Sequence, residues 1–155
     1  MGWVSLSLRK LSLRANISNL ELRDIQISRT LRQTQRNLSY EQSIMTNNRT
    51  GELRDIKAVY DEIKGDRPEI DSDEYNEWYM DYQDAREQYE FEKNEIQQYY
   101  DDQLAMLEEE AADKEAMLQQ EQTTVEAQLE AARAELEAVS EQISADIESS
   151  AIQFK

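Results

Sequence analysis

The side chains best able to do chemistry in this chain are carboxylates and phenols. Asp71-Ser72-Asp73-Glu74-Tyr75 opens like a calcium loop, because closely spaced side-chain oxygens are what a hard cation needs. The third oxygen ligand, the turn-forming Gly and the closing Glu are missing at the required offsets, so an EF-hand is not formed. Paired carboxylates could act as general acid and base, but only in a concave pocket that pushes their pKa values apart. Glu108-Glu109-Glu110, on a long polar stretch, reads instead as a solvated helix face. The chain has no Cys and no His. That removes disulfides, thiol nucleophiles, Cys/His zinc sites and the usual neutral-pH proton carrier. Three widely separated glycines cannot build a phosphate-cradling loop, and neither a nucleophile elbow nor a metalloprotease helix motif occurs. No catalytic residue, metal or cofactor is predicted, and the expectation is a protein that is not an enzyme.

Two features are suited to recognition. Tyr75, Trp78, Tyr79, Tyr82, Tyr89, Phe91, Tyr99 and Tyr100 are set among many Asp and Glu. At helical spacing, Tyr75, Trp78, Tyr82, Ala85 and Tyr89 share a face. Tyr and Trp combine a large apolar body with a polar tip, so this face can serve as core or as a docking surface. Stacking on nucleic-acid bases is disfavoured, because the neighbouring acids repel phosphate. The second feature is a basic head. Residues 1–50 hold eight Lys or Arg against three acids, while the remainder holds nine against 31. The head can pair with the acidic body in an antiparallel arrangement, or dock on an acidic partner. Trp3, Leu6 and Leu8 with Arg9 and Lys10 also have the makings of an interfacial membrane anchor.

The elements that position these residues are helical. The net charge of −17, 33% charged and 39% hydrophobic residues suit narrow apolar seams better than one large core. In residues 3–46, Leu13, Ile17, Leu20, Ile27, Leu31, Leu38 and Met45 follow an alternating 4/3 spacing interrupted by Asp24, Thr34 and Glu41. Leu11, Leu22 and Ile25 add a partial second stripe that widens this apolar face. A strand-like alternation of Val4, Leu6 and Leu8 with Ser competes at the start. Thr46-Asn47-Asn48-Arg49-Thr50-Gly51 predicts a turn by composition. A short helix over about 52–64 follows, ended by Gly65-Asp66-Arg67-Pro68. Asp71 with Glu74 has the form of a capping box, and no Gly or Pro occurs from there on.

A helix over residues 71–150 would be about 120 Å long at 1.5 Å per residue. Its seam runs Tyr100, Leu104, Leu107, Ala111, Lys114 and Leu118, then Gln122, Val125, Leu129, Ala132, Leu136, Val139 and Ile143. Two consecutive steps of four around Leu118 make a stutter. The predicted fold class is all-α: an elongated helical hairpin or coiled coil with one very long C-terminal helix. Its parts are a basic amphipathic helix and turn at 1–50, a short helix and linker at 51–70, and an acidic coiled-coil helix at 71–155. The two shorter helices are expected against the proximal part of the long one. Its distal seam, Leu118, Val125, Leu129, Leu136, Val139 and Ile143, is expected to pair with another chain in a homo- or hetero-oligomer. Trp3, Leu6, Leu8, Arg9, Lys10 and Tyr82 are the candidates for docking a partner or a membrane surface.

No signal peptide or membrane-spanning run is evident, which predicts a cytoplasmic or particle-associated protein. Gly2 lacks the Ser or Thr at position 6 that N-myristoylation requires, since Leu6 stands there. The overall plan is similar to the small coiled-coil stalk proteins of flagellar and type III secretion export machinery, and equally to elongated helical virion or scaffold proteins. That resemblance covers architecture alone and implies a spacer or subunit of a larger assembly. It carries over no functional residue, and the acidic body and aromatic block have no counterpart in it.

Overall fold

A computed structural model describes residues 2–65 and 67–153. The fold is all-α: two long helices, α1 (Trp3–Lys64) and α2 (Asp73–Gln153), packed as a hairpin. Contacts divide the chain into two units, one formed by residues up to Thr34 with those from Asp113 onward, the other by residues 35–112.

In the first unit the two helices run antiparallel. Arg9 pairs with Glu135, Glu21 with Arg133, and Arg23 with Glu121. Partner numbers fall on α2 as they rise on α1. The core is Ile17, Ile27, Val125, Leu129 and Ala132, with Leu20, Leu31, Leu118 and Leu136 packed around it. Ile27 is only 1% exposed. Burying a side chain of this size contributes about 1.5–3 kcal/mol. One polar layer interrupts the seam. Gln122 Nε2 donates to Asp24 Oδ1 at 3.2 Å and to Ser28 Oγ at 3.1 Å. A half-buried amide whose partners stand at one register only favours that register. Thr34, a buried polar residue, returns its hydroxyl to the Thr30 carbonyl at 2.8 Å.

This arrangement corrects the expected partner of the distal seam. Val125 and Leu129 are buried against α1, Leu118 and Leu136 flank them, and Val139 and Ile143 are half-buried. The apolar stripe that needed a partner finds it in the chain's own N-terminal helix. The basic head thereby lies on the acidic distal α2, not on the proximal part.

The second unit is also antiparallel. Arg49 pairs with Asp101, Gln42 donates to Glu108, and the Tyr100 hydroxyl donates to Glu52 at 2.9 Å. The turn predicted at residues 46–51 does not form; α1 passes straight through it. Arg49, Gly51 and Leu53 are partly covered, and Gly51 keeps a negative φ. Its helix penalty of about 1 kcal/mol is outweighed by packing on either side. The half-buried positions also differ slightly from those expected. Gln42 replaces Glu41, and Glu115 replaces Lys114, so the consecutive steps of four on α2 fall at Ala111 and not at Leu118.

The connection is built from specific caps. Gly65 N–H bonds back to the Asp61 carbonyl at 3.0 Å, and Trp78 Nε1 donates to the Lys64 carbonyl at 3.1 Å. Both satisfy orphan acceptors at the end of α1. Gly65 has no positive φ. A side chain there would force a shift, because a Cβ would stand 2.8 Å from the Glu62 carbonyl oxygen. The cap of α2 is Ser72, one residue later than expected: its Oγ accepts from Tyr75 N–H at 3.1 Å. Asp73 and Glu74 then fall in the first turn, where negative charge complements the helix dipole.

Candidate functional site

Most of the predicted docking residues are already engaged. Arg9 is held by Glu135, with its Nε and Nη2 both on Oε1. Leu6 and Lys10 are half-buried. Tyr82 belongs to an aromatic ladder in the second unit: Trp78 stacks on it at 5.2 Å, and Tyr60 of α1 meets it at 6.1 Å. Tyr60 also stacks on Tyr89 at 4.8 Å, so one α1 ring is seated between two α2 rings a heptad apart. Hydrogen bonding with Tyr82, followed by desolvation, raises the Tyr60 phenol above the ordinary tyrosine range, whereas the hydrogen bond with Tyr60 lowers that of Tyr82. The aromatic face is thus half-buried, with Tyr82 and Tyr89 packed on Tyr60 of α1. Beside it, Arg67 stands over the Tyr75 and Trp78 rings at 5.6 and 6.0 Å. These residues border an open cleft of about 290 Å³.

Carboxylates also gather in the first unit, where Glu21, Asp24, Glu126 and Glu130 line an open groove with Arg133. Glu21 is paired with Arg133, and Asp24 accepts from Gln122. Among the described residues no group of Asp or Glu is disposed to hold a metal ion, and no helix is long and apolar enough to cross a membrane.

What remains open is the outer face of α1 in the first unit. Trp3, Val4, Leu8, Leu11, Leu22 and Ile25 are all about half or more exposed, Leu8 reaching 64%. Each of Leu11, Leu22 and Ile25 is two positions from an inward residue (Leu13, Leu20 and Ile27). Two positions are about 200° around a helix. The second stripe therefore does not widen the inner seam, as its sequence suggested. It lies on the far side of α1, with Ile25 at its edge, where it also lines the groove formed with Glu126, Leu129 and Glu130 of α2. Val4, Leu8, Leu11, Ala15, Ser18, Leu22 and Ile25 keep a continuous 4/3 alternation. Ala15 and Ser18 are small and carry little apolar signal in the sequence; the unbroken spacing through them is what marks the stripe.

Comparison with protein-family models, curated proteins and solved structures finds no match.

Proposed function

We propose that this chain is a non-enzymatic structural or adaptor protein, a spacer or subunit of a larger assembly, that is held in place through coiled-coil pairing. The observation carrying this reading is the outer stripe of α1. An apolar row at heptad spacing, left in water while the opposite row is packed, is what a helix presents to another helix. Exposed large apolar residues scattered singly would need no explanation. Here they are aligned.

The test uses the full chain and a variant in which Leu11→Glu and Leu22→Glu place charge on the stripe. Both residues face away from α2, so helicity by circular dichroism is expected to persist. Proteins cross-linked to the chain in its native source are then identified by mass spectrometry. Partners captured by the unmodified chain and lost with the variant support the proposal. Identical partner sets from both chains would defeat it.

A peripheral membrane protein is the second reading, favoured by one observation: Trp3 is exposed at the start of the stripe, beside Val4 and Leu8. An amphipathic helix of this kind can lie at a lipid surface with the aromatic at headgroup level.

A further inference from the structure

We propose that the outer stripe of α1 is a homodimer interface, pairing antiparallel with the same stripe of a second copy about a two-fold axis between Ala15 and Ser18. The inference rests on the adaptor reading above and names its partner.

The sequence of the stripe is self-complementary under reversal. From Leu8 to Ile25 it reads Leu, Leu, Ala, Ser, Leu, Ile: two large, two small, two large. Antiparallel helices stack an a position on a d position of the partner. On the two-fold register, Leu8 meets Ile25 of the second copy, Leu11 meets Leu22, and Ala15 meets Ser18. Large residues face large and small face small in these three layers; in the next one out, Val4 meets Arg29 of the second copy. The small centre lets the two backbones approach, and the ends supply the apolar area. A two-fold interface must match itself in this way.

The flanks agree. On one side of the stripe lie Ser5, Ser12, Asn19 and Gln26, short or uncharged residues that do not oppose a close helix. On the other lie Arg14 and Glu21. The same register brings Arg14 of each copy beside Glu21 of the other, twice by symmetry. Arg14 makes no ion pair among the described residues. Glu21 uses Oε1 for Arg133. An anionic membrane would be better served by Lys and Arg along both flanks. Serine, asparagine and glutamine there favour a protein helix.

The chain contains no Cys, so engineered thiols report the geometry directly. By light scattering at micromolar concentration the full chain is expected at twice its 18.2 kDa mass. Leu11→Glu with Leu22→Glu is expected to return it to the single mass with unchanged helicity. Under oxidation, a Leu8→Cys chain mixed with an Ile25→Cys chain is expected to give the mixed disulfide. Leu8→Cys alone is expected to give almost none, because its two copies would be about 25 Å apart along the helices. Efficient Leu8→Cys self-cross-linking would mean parallel pairing and would overturn the register. A monomer throughout the micromolar range overturns the homodimer. If that monomer still loses cross-linked proteins on Leu11→Glu and Leu22→Glu substitution, the adaptor reading survives alone. If it instead floats with phosphatidylserine vesicles, a lipid surface is the occupant and the homodimer is again overturned.

Discussion

The two helical-end and mid-helix glycines are alike in type and opposite in what they tolerate. At Gly51 an added Cβ meets nothing within 4 Å and the backbone is helical. Replacing it by Ala removes conformational freedom from the unfolded chain at no native cost. Gly51→Ala is expected to raise stability by about 0.5–1 kcal/mol, measured by urea denaturation. Gly65→Ala drives a methyl toward the Glu62 carbonyl oxygen, and the end of α1 must shift, lowering stability in the same assay. Tyr100 offers a pH readout. It is 6% exposed, and desolvation with the bond to Glu52 raises its phenol above 10.0. The folded state therefore keeps this proton longer than the unfolded state. The stabilisation is complete below the unfolded pKa and is lost as pH rises through the folded one. Tyr60 acts in the same direction and Tyr82 in the opposite one. Thermal stability should fall above about pH 10, and Tyr100→Phe should flatten that fall. An unaltered alkaline limb in the variant would remove Tyr100 from the account.

At the scale of the helices, the informative unit is the polar layer. Asp24 is one of three polar breaks in the α1 seam and Gln122 the polar member of the distal α2 seam, and the hairpin joins them. Gln122→Leu alone would leave Asp24 partly covered without its donor, at a cost of about 1–3 kcal/mol. The double variant Asp24→Leu with Gln122→Leu is expected to be as stable as the parent or more so, while losing the device that pins register. A double-mutant cycle by denaturation measures the first effect, and cysteine cross-linking between the helices measures the second. The inner seams, the hairpin and the attraction of a basic head to an acidic body were legible because apolar spacing and charge are carried by many residues at once. Features resting on a few residues were not. Asn47, Asn48 and Gly51 signal a turn locally, yet packing through Arg49 and Leu53 holds the helix together. Asp71 and Ser72 are both good caps, and only geometry chose Ser72. The outer stripe is half-legible: its large residues show in the spacing, but the side of α1 they occupy depends on which seam α2 takes.

For the whole chain, the unequal division of charge carries the last prediction. The unit of residues 1–34 and 113–155 contains nine bases and twelve acids, whereas residues 35–112 contain eight bases and 22 acids. The first is close to neutral because its helices bring opposite charges together; the second concentrates nearly all of the net charge of −17. Screening should therefore act on them with opposite sign. The Debye length falls from about 30 Å at 0.01 M salt to about 3 Å at 1 M. Over that range, repulsion among the acids of residues 35–112 weakens and that unit gains stability. The exposed pairs Arg9–Glu135, Arg23–Glu121 and Glu21–Arg133 weaken as well, each being worth about 0.2–1 kcal/mol. Native-state hydrogen exchange separates the two responses by segment. Added sodium chloride is expected to slow exchange around residues 53–63 and 82–104, and to leave it unchanged or faster around residues 13–31 and 118–136. Uniform slowing across all four segments would mean that burial, not charge, governs the salt response of the fold.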